Sequence, residues 1–114
     1  MGVAHIAKIL PKIREVLQQS AERCVTLEVA GDPARWIQFT DGAVNAAYPH
    51  AGHPGPILAR LGNARLEQWE ANKFMTARLS TTDPVEIAYW IDQYCETVLV
   101  GGQAYAFTTR VRLL

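Results

Sequence analysis

The chain has 114 residues, 49% of them hydrophobic, with 11 basic and 11 acidic side chains; it is long enough to close one core and too evenly charged to seek polyanions. Nucleic acid and anionic membrane are thereby excluded as main partners, and no apolar run approaches the length of a membrane span. The amino terminus lacks the basic region and apolar run of a signal peptide, and Cys24 and Cys95 stand outside any CxxC or CxxH pattern, so a single cytoplasmic domain over residues 1–114 with reduced thiols is expected.

Ile6, Ile9, Leu10, Ile13, Val16, Leu17 and Ala21 recur at the three- and four-residue spacing of an amphipathic helix. Pro11 interrupts the stripe, and a proline inside a helix costs about 3 kcal/mol. The pattern therefore predicts a helix over 11–22 preceded by a short helical or loose arm, its stripe against the core face of a sheet. Residues 24–30 alternate, with Val25, Leu27 and Val29 on one side and Thr26 and Glu28 on the other, as a strand does. Gly31-Asp32-Pro33 then turns the chain.

The stretch from Ala34 to Pro49 carries the strongest local signal. Asp41-Gly42 suits the type I′ turn of a two-residue hairpin. Centred there, Thr40 faces Ala43, Phe39 faces Val44, Gln38 faces Asn45, Ile37 faces Ala46 and Trp36 faces Ala47. One face then holds Ile37, Phe39, Val44, Ala46 and Tyr48, a core set. The other holds Trp36, Gln38, Thr40, Ala43, Asn45 and Ala47, small and polar apart from one indole. A one-residue slip would mix the two sets, so the sorting itself supports the register. Trp36 is either covered by a loop or the chain's end, or marks an open face that meets a partner.

The loop 49–56 contains three prolines, two glycines and a His50-x-x-His53 pair. Pro56 suits the first turn of a short helix through Ile57, Leu58 and Leu61, which Gly62 caps. Residues 63–81 are good helix formers. They also read as a second hairpin turning at Asn72-Lys73, with Leu66 opposite Leu79 and Glu67 opposite Arg78. Leu66, Met75, Ala77 and Leu79 would then share one face, and Arg65, Glu67, Trp69, Phe74 and Arg78 the other. The hairpin reading is adopted. Asp83, Pro84 and Glu86 form a capping-box start, followed by a stripe of Ile87, Ile91, Tyr94, Cys95 and Val98 with Ala88, Trp90 and Leu99 at its edges. Asp92, Gln93 and Glu96 are expected to face water, and Gly101-Gly102 ends the helix. From Gln103 onward the chain alternates again, which predicts an edge strand with Arg110 and Arg112 on its outer side.

No catalytic constellation stands out. Neither Ser20 nor Ser80 sits in a nucleophile-elbow pattern, and no glycine-rich phosphate loop is present. His50 and His53 have metal-ligand spacing but no acidic or thiol companion within their loop. A small metal-dependent or thiol enzyme using that pair is the alternative reading, a structural oligomer subunit another. No cofactor or metal is expected. What remains is surface: with both hairpins in register, Trp36 and Trp69 lie on one outer face with Gln38 and Asn45, where aromatic anchors would hold a peptide or protein.

The order helix, three strands, short helix, two strands, helix resembles the type III secretion chaperone-like fold, and more narrowly the bacterial YbjN-like and TY-Chap groups. The resemblance is carried by Trp36-Ile37-Gln38-Phe39, Asn45 to Pro49, Leu61-Gly62, Trp69 and the helix beginning near Val85, over about residues 10 to 100. It implies an α+β protein with helices on one face of an antiparallel sheet. It also implies a homodimer that holds an extended client segment and catalyses nothing. The strand after Gln103 departs from that pattern and could occupy the place of a client or second subunit.

Overall fold

In the computed structural model, which describes residues 3–18, 23–40, 42–102 and 105–113, the alternating stretches form strands and the three- and four-spaced stripes form helices. The order is α1 (Val3–Gln18), β1 (Arg23–Val29), β2 (Asp32–Thr40), β3 (Ala43–Ala47), α2 (Gly55–Leu61), β4 (Ala64–Glu70), β5 (Phe74–Leu79), α3 (Pro84–Tyr94) and β6 (Phe107–Leu113). The strands make one six-stranded sheet in the order β4-β5-β3-β2-β1-β6, every neighbouring pair antiparallel. The fold is α+β, with the helices on one face.

Register explains where the core sits. One inner row runs Leu66, Ala77, Val44, Phe39, Val25, Val111 across all the strands, apolar from edge to edge. Beneath it lie Ile6, Ile9, Ile13 and Val16 of α1, Leu58 of α2, and Ile87, Trp90, Ile91 and Tyr94 of α3, all buried in one cluster. Each such aliphatic side chain contributes about 1.5–3 kcal/mol on burial. The β2–β3 register is the one that Asp41-Gly42 predicts, from Thr40 opposite Ala43 to Ile37 opposite Ala46. Asp41 itself lies outside the described residues, while Gly42 takes the positive φ of 84° that the turn demands.

Two expectations are corrected here. The first helix does not start at Pro11 but runs continuously from Val3 to Gln18 with Pro11 inside it; Ala21 and the rest of 19–22 lie outside the described residues. Pro11 and Ala7, whose carbonyl loses its partner, are both exposed, on the solvent side of the helix. Burial of Ile6 and Ile9 on one side of Pro11, and Ile13 and Val16 on the other, outweighs the proline. The second hairpin is real, turning through residues 71–73 with Asn72 at φ 60°, but its register is shifted. Leu66 opposes Ala77, not Leu79, and Arg78 opposes Arg65, not Glu67. A bulge between Leu66 and Gln68 leaves Glu67 unpaired in the ladder.

At α3, Asp83 accepts from the Val85 N–H at 2.9 Å. Its companion Glu86 acts through Thr81: the Asp83 N–H donates to the Thr81 hydroxyl, which donates to Glu86 Oε1. The helix passes into a π-helical turn at Cys95–Leu99 before Gly101 and Gly102 take positive φ. β6 pairs along β1 within the same chain, forming a sheet edge.

Candidate binding face

Alternation that sends the apolar set inward sends a second set outward, and no described helix lies over it. The middle outer row is Gln68, Thr76, Asn45, Gln38, Thr26, Arg110. On one side of it, Glu70 pairs Phe74, Phe74 pairs Ala47, and Trp36 pairs Glu28. On the other, Arg65 pairs Arg78, Arg78 pairs Ala43, Ala43 pairs Thr40, and Cys24 pairs Arg112. Trp36, Gln38, Asn45, Thr76 and Phe74 are half-buried. The Thr76 hydroxyl donates to Asn45 Oδ1 at 2.5 Å, which leaves the Asn45 amide N–H₂ as a donor. The Thr40 hydroxyl donates to the Arg23 carbonyl at 3.0 Å. Thr26 is buried among its neighbours, its hydroxyl unpartnered among the described residues.

Charge is sorted across this face. From Trp36 to Ala47, the outward residues of β2 and β3 carry none. The charged groups lie on the outer columns, where Arg110 meets Glu28 at 3.2 Å and Glu67 sits 3.6 Å from Arg65 and 3.4 Å from Arg78. Exposed pairs of this kind contribute about 0–1 kcal/mol. The arrangement can stack an aromatic ring, donate and accept hydrogen bonds, and bind carboxylates.

Trp36, Gln38 and Asn45 therefore stand together as expected. Trp69 does not. The bulge at Glu67 shifts the alternation by one residue, so Trp69 pairs with buried Met75 on the inner face and packs edge-on against Tyr48 and His53, with centroids 6.1 and 5.1 Å away. Phe74 takes its expected place outside. A bulge has no strong sequence signature, but Phe74 already fell on the outer side in the proposed alternation and could have been singled out.

Both histidines of the loop are tied to backbone groups. His50 Nε2 donates to the Val98 carbonyl at 2.9 Å, and His53 Nδ1 accepts from the Gly55 N–H at 2.9 Å. Among the described residues, no group of three or more His, Cys, Asp or Glu side chains converges as a metal site.

A further correction concerns α3. Asp92, expected in water, is fully buried; Gln93 and Glu96 are half-buried. Asp92 Oδ1 lies 2.9 Å from His5 Nδ1 and accepts from the Tyr105 hydroxyl at 2.6 Å. His5 Nε2 lies 2.9 Å from the Tyr105 carbonyl. Both atoms facing the ring, Asp92 Oδ1 and the Tyr105 carbonyl oxygen, can accept hydrogen bonds. The spacing Ala88, Asp92, Cys95, by four and by three, already put Asp92 beside the buried stripe. Burial pushes the Cys95 thiol up to about 12 and raises Tyr94 and Tyr105 above the ordinary phenol range. Cys95 is thus a protonated core thiol at neutral pH, and both cysteines are free and buried.

No family model, curated protein or solved structure matches the chain. Among the described residues no helix is long and apolar enough to cross a membrane.

Proposed function

We propose that this protein is a chaperone-like binding module that receives an extended polypeptide on the outer sheet face and catalyses nothing. Trp36, Gln38 and Asn45 contact the segment, and Phe74 supplies the second ring in place of Trp69. The observation that carries the reading is an uncovered face whose centre is uncharged and bears a half-buried indole, with charges at its margins. Protein interfaces share this anatomy: charge is depleted at the centre, aromatics are enriched there, and the rim is polar. The element order shared with the secretion-chaperone-like fold belongs to the same reading. So do a cytoplasmic setting, which suits free buried thiols, and a homodimer, which zero net charge does not oppose.

Screening an array of short peptides against the purified protein tests it. Trp36→Ala should weaken the best binders about tenfold or more, the loss of a hot-spot residue, while Trp69→Phe leaves them unchanged. Binding that ignores Trp36→Ala, or an array without a binder, would overturn the proposal.

A further inference from the structure

We infer that the segment received on this face is acidic at one end, its side-chain carboxylate seated between Arg65 and Arg78. This rests on the polypeptide-binding reading and adds the chemistry of the partner.

Arg65 and Arg78 face each other directly across β4 and β5, both on the outer side. Like charges so placed repel. Among the described residues the relief is one carboxylate, Glu67, stretched to 3.6 Å from Arg65 and 3.4 Å from Arg78, beyond the roughly 2.7–2.9 Å of a good charge-assisted bond. One acid serving two guanidiniums at long range leaves donors for a second acid. A depression of about 330 Å³, lined by Arg65, Arg78, Leu79 and Ser80, adjoins the pair at the end of the strands. Arg78 also reaches over the β2–β3 turn, where its Nη1 lies 3.6 Å from the position a Cβ would take on Gly42.

The rest of the face sets the direction. Arg112 lies in the outer row that Cys24 continues toward β6, so among the described residues this outer row carries three arginines, with Glu67 the acid beside two of them. At the opposite end each acid already has a cation: Glu28 meets Arg110 at 3.2 Å and Glu70 meets Lys73 at 3.1 Å. Among the described residues the face is therefore neutralised beside Trp36 and Phe74 and basic beside Arg78. Phe74 and Arg78 sit on the same side of the same strand, four residues apart, or roughly 13 Å at the rise of a strand. An extended segment lying along the strands presents residues j, j+2 and j+4 to the face. Its apolar side chain at j then meets Trp36 and Phe74, and an aspartate or glutamate at j+4 meets the arginine pair.

The test uses fluorescein-labelled peptides of one host sequence, with Leu at j and Glu or Lys at j+4, and a third with Glu moved to j+3. By anisotropy, Leu with Glu at j+4 should bind at least tenfold more tightly than either variant, and less so as salt rises. Arg78→Gln should erase the preference, and Arg78→Glu should reverse it toward the Lys peptide. Arg78 is exposed, so unchanged melting of both variants confirms that they fold. Binding that falls on Trp36→Ala yet ignores the charge at j+4 and Arg78→Glu would overturn the acidic selectivity and leave the polypeptide reading standing. If no peptide binds in a Trp36-dependent way, both are overturned.

Discussion

At the scale of single residues, the side chain with most at stake is Asp92. It has 0% exposure, binds His5 and Tyr105 through Oδ1, and its Oδ2 has no partner among the described residues. A charge taken from water costs several kcal/mol unless its partners compensate, and removing one partner exposes that cost. Asp92→Ala should lower stability by about 3–5 kcal/mol in urea denaturation. A double-mutant cycle with His5→Ala should give a coupling above about 1 kcal/mol; additive losses would mean the two groups do not act as a pair. Asp92 was misplaced from sequence because an acid in a helix defaults to solvent. Its partners, His5 and Tyr105, come from distant parts of the chain and have no shared local signal. Trp36, Gln38 and Asn45 were legible because strict alternation around one turn leaves a single way to sort them.

Among the elements, α1 and β4 show what local rules miss. Pro11 breaks the helical ladder by propensity, yet the stripe on both sides of it is buried and the chain stays helical. The strain it imposes is removable: Pro11→Ala restores a donor toward the Ala7 carbonyl on an exposed face. The substitution should stabilise the protein by about 1–3 kcal/mol, read as a thermal midpoint several degrees higher. An unchanged or lower midpoint would show that the proline fits its place. The β4 bulge is the opposite case. Nothing in the alternation of residues 64–70 marks the extra residue, because Glu67 could as well have been paired. That one residue decides which side of the sheet Trp69 occupies.

For the whole molecule, the architecture was readable because turn and cap signals separate its elements: Gly31, Asp41-Gly42, Gly62 and Asp83-Pro84; the turn expected over Gly31-Asp32-Pro33 is confined to Ala30-Gly31, and Asp32 and Pro33 open β2. Strand order was not, since the β3–β5 and β1–β6 pairings depend on long-range packing. The sealed core has a consequence for pH. Burial keeps the Cys95 thiol protonated to about 12, against 9.0 for a free thiol, and raises Tyr94 and Tyr105 as well. The unfolded chain releases these protons first. Stability is therefore whole below about pH 9 and falls as pH rises toward 12, by about 1.4 kcal/mol per pH unit for each proton held. Melting followed by circular dichroism should stay level through neutrality and drop above pH 9, less steeply in Cys95→Ala; an equally steep drop in that variant would remove the thiol from the account.

The first helix rests on the last-made parts of the fold, through His5 against Asp92 and Tyr105 and Lys8 over the Phe107 ring. During synthesis, α1 leaves the ribosome long before any of those groups exist. Part of its greasy stripe can settle on β1 and β2 soon after they are made, but its seat against α3 and β6 must wait until translation has delivered them, so the domain closes late.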